Sequence, residues 1–221
     1  MRLLLPVPPS RRPARFALLL AGLLLYGVST GLMLQAALGQ MPWGVLDQGL
    51  SRTFGLQVGT WSIITGAVVL LLWVPLRQRP GLGTLGNVVL IGLAINATVA
   101  VVPVAGTLVV QVPLLLTGIV LNAVATGAYI GAGLGPGPRD GLSTGLAARG
   151  LPLRVVRTGI ELVVLGAGWL LGGSVGVGTV LYAVMIGMLM QLTVPALRLR
   201  DPVEVPVAAA PQDDGRATPA G

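Results

Sequence analysis

The chain carries nearly the same pattern twice, about 95 residues apart, and this duplication restricts its fold more than any other feature. Gly31 answers Gly127, Gly39-x-x-Pro42 answers Gly135-x-x-Pro138, and Gly49-Leu50 answers Gly145-Leu146. Later in each copy, Gly55-Leu56 matches Gly150-Leu151, Gly81-Leu82-Gly83-Thr84 matches Gly176-Val177-Gly178-Thr179, and Ile91-Gly92 matches Ile186-Gly187. Each copy contains three long apolar stretches. An odd number of membrane crossings per copy turns the second copy upside down relative to the first, and such inverted repeats are the plan of many transporters.

A helix needs about 20 mainly apolar residues to cross the hydrocarbon core. Stretches near residues 15–37, 57–76, 84–104, 107–132, 154–173 and 179–197 qualify. They are too long for strands and do not alternate. The pattern therefore predicts an all-α polytopic membrane protein with six transmembrane helices. These form two inverted three-helix repeats, residues 15–105 and 106–198, between an N-terminal tail (1–14) and a disordered C-terminal tail (199–221). The first stretch, behind Arg11, Arg12 and Arg15, imitates a signal peptide. Its counterpart at 107–132 is internal and cannot be a cleaved signal, so the stretch is read as the first span.

Composition agrees: 54% of residues are hydrophobic and only 10% charged, and the mean hydropathy is +0.87. The formal charge of +7 does not point to nucleic acid, because the arginines flank apolar segments rather than forming a basic, aromatic-rich face. Thirteen of the fourteen basic residues fall on the same side if both termini are cytoplasmic, leaving Arg52 alone outside. That places the chain in the plasma membrane as a multi-pass protein. Cysteine and histidine are absent, which removes disulfides, the commonest zinc ligands, cysteine nucleophiles and Ser-His-Asp triads. No cofactor is expected, and the chain is read as a non-enzyme.

Two connections, Gly39 to Leu56 and Gly135 to Leu153, are long and half-apolar, and each opens with Gly-x-x-Pro. Proline suits the first helical position, where its missing N–H would have no partner anyway, so a short helix is expected after Pro42 and after Pro138. In the first, Val45, Leu46, Gly49 and Leu50 form an apolar stripe opposite Asp47 and Ser51. In the second, Leu142, Leu146 and Ala147 face away from Arg139, Ser143 and Thr144. Such helices lie flat at an interface, or they are re-entrant, dipping inward where protein or a water-filled cavity covers their backbone.

Charges within spans are expensive and mark candidate sites. Glu161 lies in the fifth stretch with Arg157 four residues earlier on the same face. A structural ion pair explains them, and so does a binding or proton-coupling site built with Arg139 and Asp140. Asn87, Asn96, Asn122 and Gln191 are read as interhelical hydrogen-bonding groups, and Gly27-x-x-x-Gly31, Gly127-x-x-x-Gly131 and Gly168-x-x-x-Gly172 as close helix crossings. The run Gly131-Ala132-Gly133-Leu134-Gly135 lacks the preceding strand and following lysine of a phosphate loop.

Pro42-Trp43-Gly44-Val45-Leu46-Asp47-Gln48-Gly49-Leu50, Gly59-Thr60-Trp61-Ser62, Pro138-Arg139-Asp140-Gly141-Leu142, Val156-Arg157-Thr158-Gly159-Ile160-Glu161 and Gly168-Trp169-Leu170-Leu171-Gly172 together resemble the YczE-like (YczE/YyaS/YitT-type) bacterial integral membrane proteins, over about residues 16 to 195. The resemblance implies a multi-pass membrane protein and supplies no substrate. It also implies an acid directly after Pro-Trp, where this chain has Gly44 and carries its acid at Asp47. On that basis the second loop, with Arg139 and Asp140, is the better candidate, and Asp47 and Gln48 are secondary ones.

The leading expectation is a small secondary transporter or permease of unknown solute. The alternative is a non-transporting membrane subunit, either a scaffold or a substrate-binding component of a larger complex. An intramembrane aspartyl protease would need two carboxylates in one site. The expected partners are the lipid bilayer, a small solute, and a second copy or another membrane protein.

Overall fold

The computed structural model describes residue 5 and residues 7–199. The C-terminal tail expected beyond residue 199, with Arg200 and Arg216, lies outside the described residues, as does Arg2. Among the described residues the chain is helical, with no strand. The elements are α1 (Arg12–Ala36), α2 (Pro42–Phe54), α3 (Val58–Leu71), α4 (Trp73–Leu76), α5 (Leu82–Val101), α6 (Leu108–Gly131), α7 (Pro138–Ala147), α8 (Leu153–Leu170) and α9 (Val177–Leu197).

Five segments are long and apolar enough to cross a membrane: α1, α3 continued by α4, α5, α6 and α9. The sixth expected span corresponds to α8, which differs from the others. It is 18 residues long and carries Arg154, Arg157 and Glu161. The break between α3 and α4 has a local cause, since Pro75 has no N–H and its ring crowds the carbonyl four residues back, at Leu71.

The short helices after Pro42 and Pro138 form as α2 and α7. Each follows a glycine in the left-handed region, Gly39 at φ 112° and Gly135 at φ 119°, where a Cβ would be strained. The proline then starts the helix.

Glycines set the helix crossings. A Cβ at Gly27 would lie 2.4 Å from the Ala94 Cβ, and one at Gly31 would lie 2.6 Å from the Thr98 Cβ, so α1 and α5 run parallel with their backbones close. The second half repeats this: Gly127 abuts Thr193 and Gly131 abuts Leu197, so α6 and α9 are also parallel. Between the halves, α1 and α6 are antiparallel, with Gly22 against Tyr129 and Gly118 against Met33 and Ser29. Around this central pair lie two apolar clusters, one including Leu19, Leu23, Ile91, Ile95 and Tyr129, the other Met33, Ala36, Met41, Leu115 and Ile119.

Arg15 does more than flank a span. It is buried, and its Nη1 donates to the Ala132 carbonyl at 2.8 Å, satisfying the carbonyl just past the end of α6. This contact and the helix starting at Arg12 shorten the expected N-terminal tail.

Contacts also come in pairs offset by 95 or 96 residues. The Gly83 N–H donates to the Leu134 carbonyl at 2.8 Å, and the Gly178 N–H donates to the Leu38 carbonyl at 2.8 Å. The short helices cross between the halves: α2 packs on α8, and α7 packs on α3 and α4. At the first crossing Gly168 makes room for Val45 and Leu46; at the second Gly141 makes room for the Trp73 indole. Bulky and small residues have exchanged sides of an otherwise matching contact.

Candidate functional site: a charge-lined cavity beside two proline-led helices

The polar residues of the two connections meet. Arg139, in the first turn of α7, places Nη2 3.3 Å from the Asp47 Oδ2 of α2 and 3.3 Å from the Ser62 hydroxyl of α3. The Thr65 hydroxyl donates to the other Asp47 oxygen at 2.8 Å. The Arg139 guanidinium also lies over the Trp43 ring, 4.6 Å from its centroid. Ser62 and Thr65 are four and seven residues into α3 from Val58, or about 6 to 10 Å along its axis.

Amphipathic patterning assigns Asp47 to the polar side of α2, where an interfacial helix would expose it to water. The structure corrects this. Asp47 is 2% exposed, and Val45 and Gly49 on the apolar side are buried as well, so protein covers both sides of the first turns of α2, while Arg52, Thr53 and Phe54 in its last turn are exposed. Burial pushes the Asp47 carboxyl above its ordinary value, opposed by Arg139 and by the Thr65 and Ser62 hydroxyls. The glycine after Pro42-Trp43 also has a local explanation: a Cβ at Gly44 would lie 2.8 Å from Oε1 of the buried Gln40, which occupies that space. Gln48 is buried and accepts from the Ser174 N–H at 2.7 Å, tying α2 to the turn before α9.

In front of Arg139 lies a cavity of about 730 Å³, within the size range of small-molecule sites. Arg139, Asp140, Arg157 and Glu161 all line it, as do all three tyrosines, Tyr26, Tyr129 and Tyr182. Asp47 stands behind its wall, against Arg139, and Gln48 does not line it. Arg157 donates to Glu161 at 3.1 Å, the expected pairing one helical turn apart, and both side chains are about half exposed. Asp140 accepts from the Tyr129 hydroxyl at 2.7 Å. Each carboxylate thus has its own partner, and no two share a proton-bridged site among the described residues.

One wall of this cavity is loosely closed. In the first half, α3 and α5 interlock: a Cβ at Gly59 would lie 2.0 Å from the Gly92 carbonyl oxygen, and Asn96 accepts from the Gly59 N–H at 2.8 Å. In the second half, α8 and α9 barely touch. A Cβ at Gly159, Gly166 or Gly187 would meet nothing within 4 Å. The tyrosines and this gap have no signal in the sequence beyond apolar runs, whereas Asn96 is legible there as an interhelical hydrogen-bonding group.

Fold and site together define a polytopic helical membrane protein with an internal, charge-lined cavity. Residues 13–195 match the model of a family of unknown function, DUF6198, and the chain belongs to this YczE-like family of membrane proteins. It is 39% identical to an uncharacterized protein of Haemophilus influenzae over 79% of this chain and 81% of that one. It is 36% identical to the uncharacterized membrane protein YczE of Bacillus subtilis, over 82% of this chain and 86% of that one. Similarity to YyaS of Bacillus subtilis is 28% over 79% and 89%. No solved structure gives a significant match.

Proposed function

We propose that the protein is a small secondary carrier of the plasma membrane, with both termini cytoplasmic, six spans including α8, and two inverted halves whose proline-led helices are re-entrant. The contact between Asp47 and Arg139 carries this reading. It joins the first turn of α7 to the second turn of α2, two short helices that belong to different halves. Half-helix N-termini converging at depth, in a chain of opposed repeats, form the substrate region of several carrier folds. The pairwise-offset contacts and the parallel α1–α5 and α6–α9 pairs, antiparallel to one another, support the inversion.

The mechanism follows from the asymmetry of the ion pair. Arg139 has the buried Asp47 on one side and the cavity on the other. A ligand that displaces Arg139 leaves Asp47 uncompensated in a low-dielectric site, which favours its protonation. Solute movement and proton movement are then coupled through one guanidinium. Arg157 and Glu161 supply a second pair across the cavity, at its loose wall.

The test is reconstitution of the purified full chain in sealed vesicles, with solute uptake and proton movement followed across amines, organic acids, amino acids and sugars. Saturable flux that stops in Arg139→Gln while insertion is retained supports the carrier. Absence of flux across the panel, with a stoichiometric membrane partner copurifying, would replace it with the non-transporting subunit.

A further inference from the structure

We propose that the cavity binds an organic cation with an apolar body, gripped by the Asp140 carboxylate and the tyrosine faces. The inference deepens the carrier reading of the same cavity and rests on its charge balance. Three carboxylates and two guanidinium groups lie in or directly behind the cavity wall. Arg139 is matched by Asp47, and Arg157 is matched by Glu161. Asp140 is left with no ion pair among the described residues. Arg157 is near enough to feel its charge but spends its Nε–H on Glu161. Asp140 has only the neutral Tyr129 hydroxyl at 2.7 Å.

A carboxylate in a partly desolvated cavity without a cation favours a ligand that brings one. The aromatic lining suits the same ligand, because ring faces attract cations and quaternary ammonium groups are recognised by such boxes. Trp43 already holds a guanidinium on its face at 4.6 Å. Tyr26 and Tyr129 meet edge to face with centroids 6.2 Å apart, and both line the cavity that Asp140 lines. The part of the lining contributed by α8 and α9 includes the apolar Ile160, Ile186, Met190 and Val194, and the gap between α8 and α9 borders it. A polar cation would leave this part unused, so the body of the ligand is apolar.

Tetraphenylphosphonium and tetraphenylborate have nearly the same shape and opposite charge, so they separate charge recognition from simple partitioning. Binding of labelled tetraphenylphosphonium to the full chain in lipid nanodiscs, corrected for empty discs, is expected to be saturable. Excess unlabelled phosphonium should displace it, and tetraphenylborate should not. Asp140→Asn, verified by monodisperse elution, should weaken it at least tenfold. Gly137→Ala offers a second variant: its φ of −63° suits alanine, and its Cβ would crowd Asp140 Oδ2 at 3.2 Å, Asn87 Nδ2 at 3.3 Å and the Tyr129 hydroxyl at 3.4 Å. It should weaken binding several-fold. No saturable binding, equal displacement by tetraphenylborate, or wild-type affinity in either variant overturns the inference. Phosphonium binding without flux of any solute would contradict the carrier and leave this site standing; solute flux without phosphonium binding would do the reverse.

Discussion

The two halves share a plan and differ in how tightly it is closed. In the first, α3 is locked to α5 by Gly59, Gly92 and Asn96, each within contact of the opposing backbone or side chain. In the second, the matching helices α8 and α9 stand apart, and the space between them belongs to the cavity. The charges follow the same division. Every ionisable cavity residue except the tyrosines Tyr26, Tyr129 and Tyr182 comes from α7 or α8. One copy of the duplicated unit has become a packed frame and the other carries the polar chemistry, while Asp47, from the frame, reaches across to hold Arg139.

The sharpest way to break this comparison is to place the same substitution at matching positions. Gly92→Ala would push a Cβ to 2.3 Å from the Gly59 carbonyl oxygen and 2.5 Å from Ile63 Cγ1. It should destabilise the protein by about 3 kcal/mol, the upper part of the usual overpacking range. Gly187→Ala, its counterpart in the second half, has nothing within 4 Å and should leave the melting temperature in detergent unchanged or slightly raised, since alanine favours helix. Equal losses at the two positions would remove the distinction between frame and open half.

The link between the halves is tested next. Arg139→Gln leaves Asp47 buried without its counter-ion and should cost about 2 kcal/mol, below the value for a fully buried pair because Arg139 is partly exposed. Adding Asp47→Asn should recover part of that loss, a coupling a double-mutant cycle reads directly. The pH dependence has a definite sign. Because burial raises the Asp47 pKa in the folded state, the folded form of Arg139→Gln binds a proton more readily than the unfolded form, so its stability is greatest below the ordinary carboxylate pKa and is lost as the pH rises through the raised folded one. Additive effects and a flat profile would mean that the pair holds nothing together. The smallest effect among the charged residues belongs to Glu161→Gln. Its pair with Arg157 is half exposed, so stability should change by less than about 1 kcal/mol, and in the carrier reading the loss falls on transport instead.

Much of the architecture was legible in the residues. The apolar runs place the long helices to within a few residues, and Gly39, Pro42, Gly135 and Pro138 mark where the short helices begin, because positive φ and a missing N–H act locally. Arg157 and Glu161 pair as one helical turn dictates. What was not legible depends on contacts across the chain. Asp47 and Arg139 are 92 residues apart, and periodicity along α2 alone assigns Asp47 to solvent. Only the packing of α2 against α3 and α8 shows that its polar side is buried too. The departure at Gly44 likewise reads, in the sequence alone, as a weakening of the first loop, whereas in the fold the Gln40 side chain lies against that glycine.

The account stands on α2 and α7 entering from opposite faces of the membrane. The chain has no cysteine, so single cysteines at Gln57 and Ala148, both exposed just past the ends of these helices, can be probed with an impermeant thiol reagent in intact cells and in inverted vesicles. Position 57 should react only from outside and position 148 only from inside. Labelling of both from the same side would contradict the inverted arrangement and the ion-pair mechanism built on it.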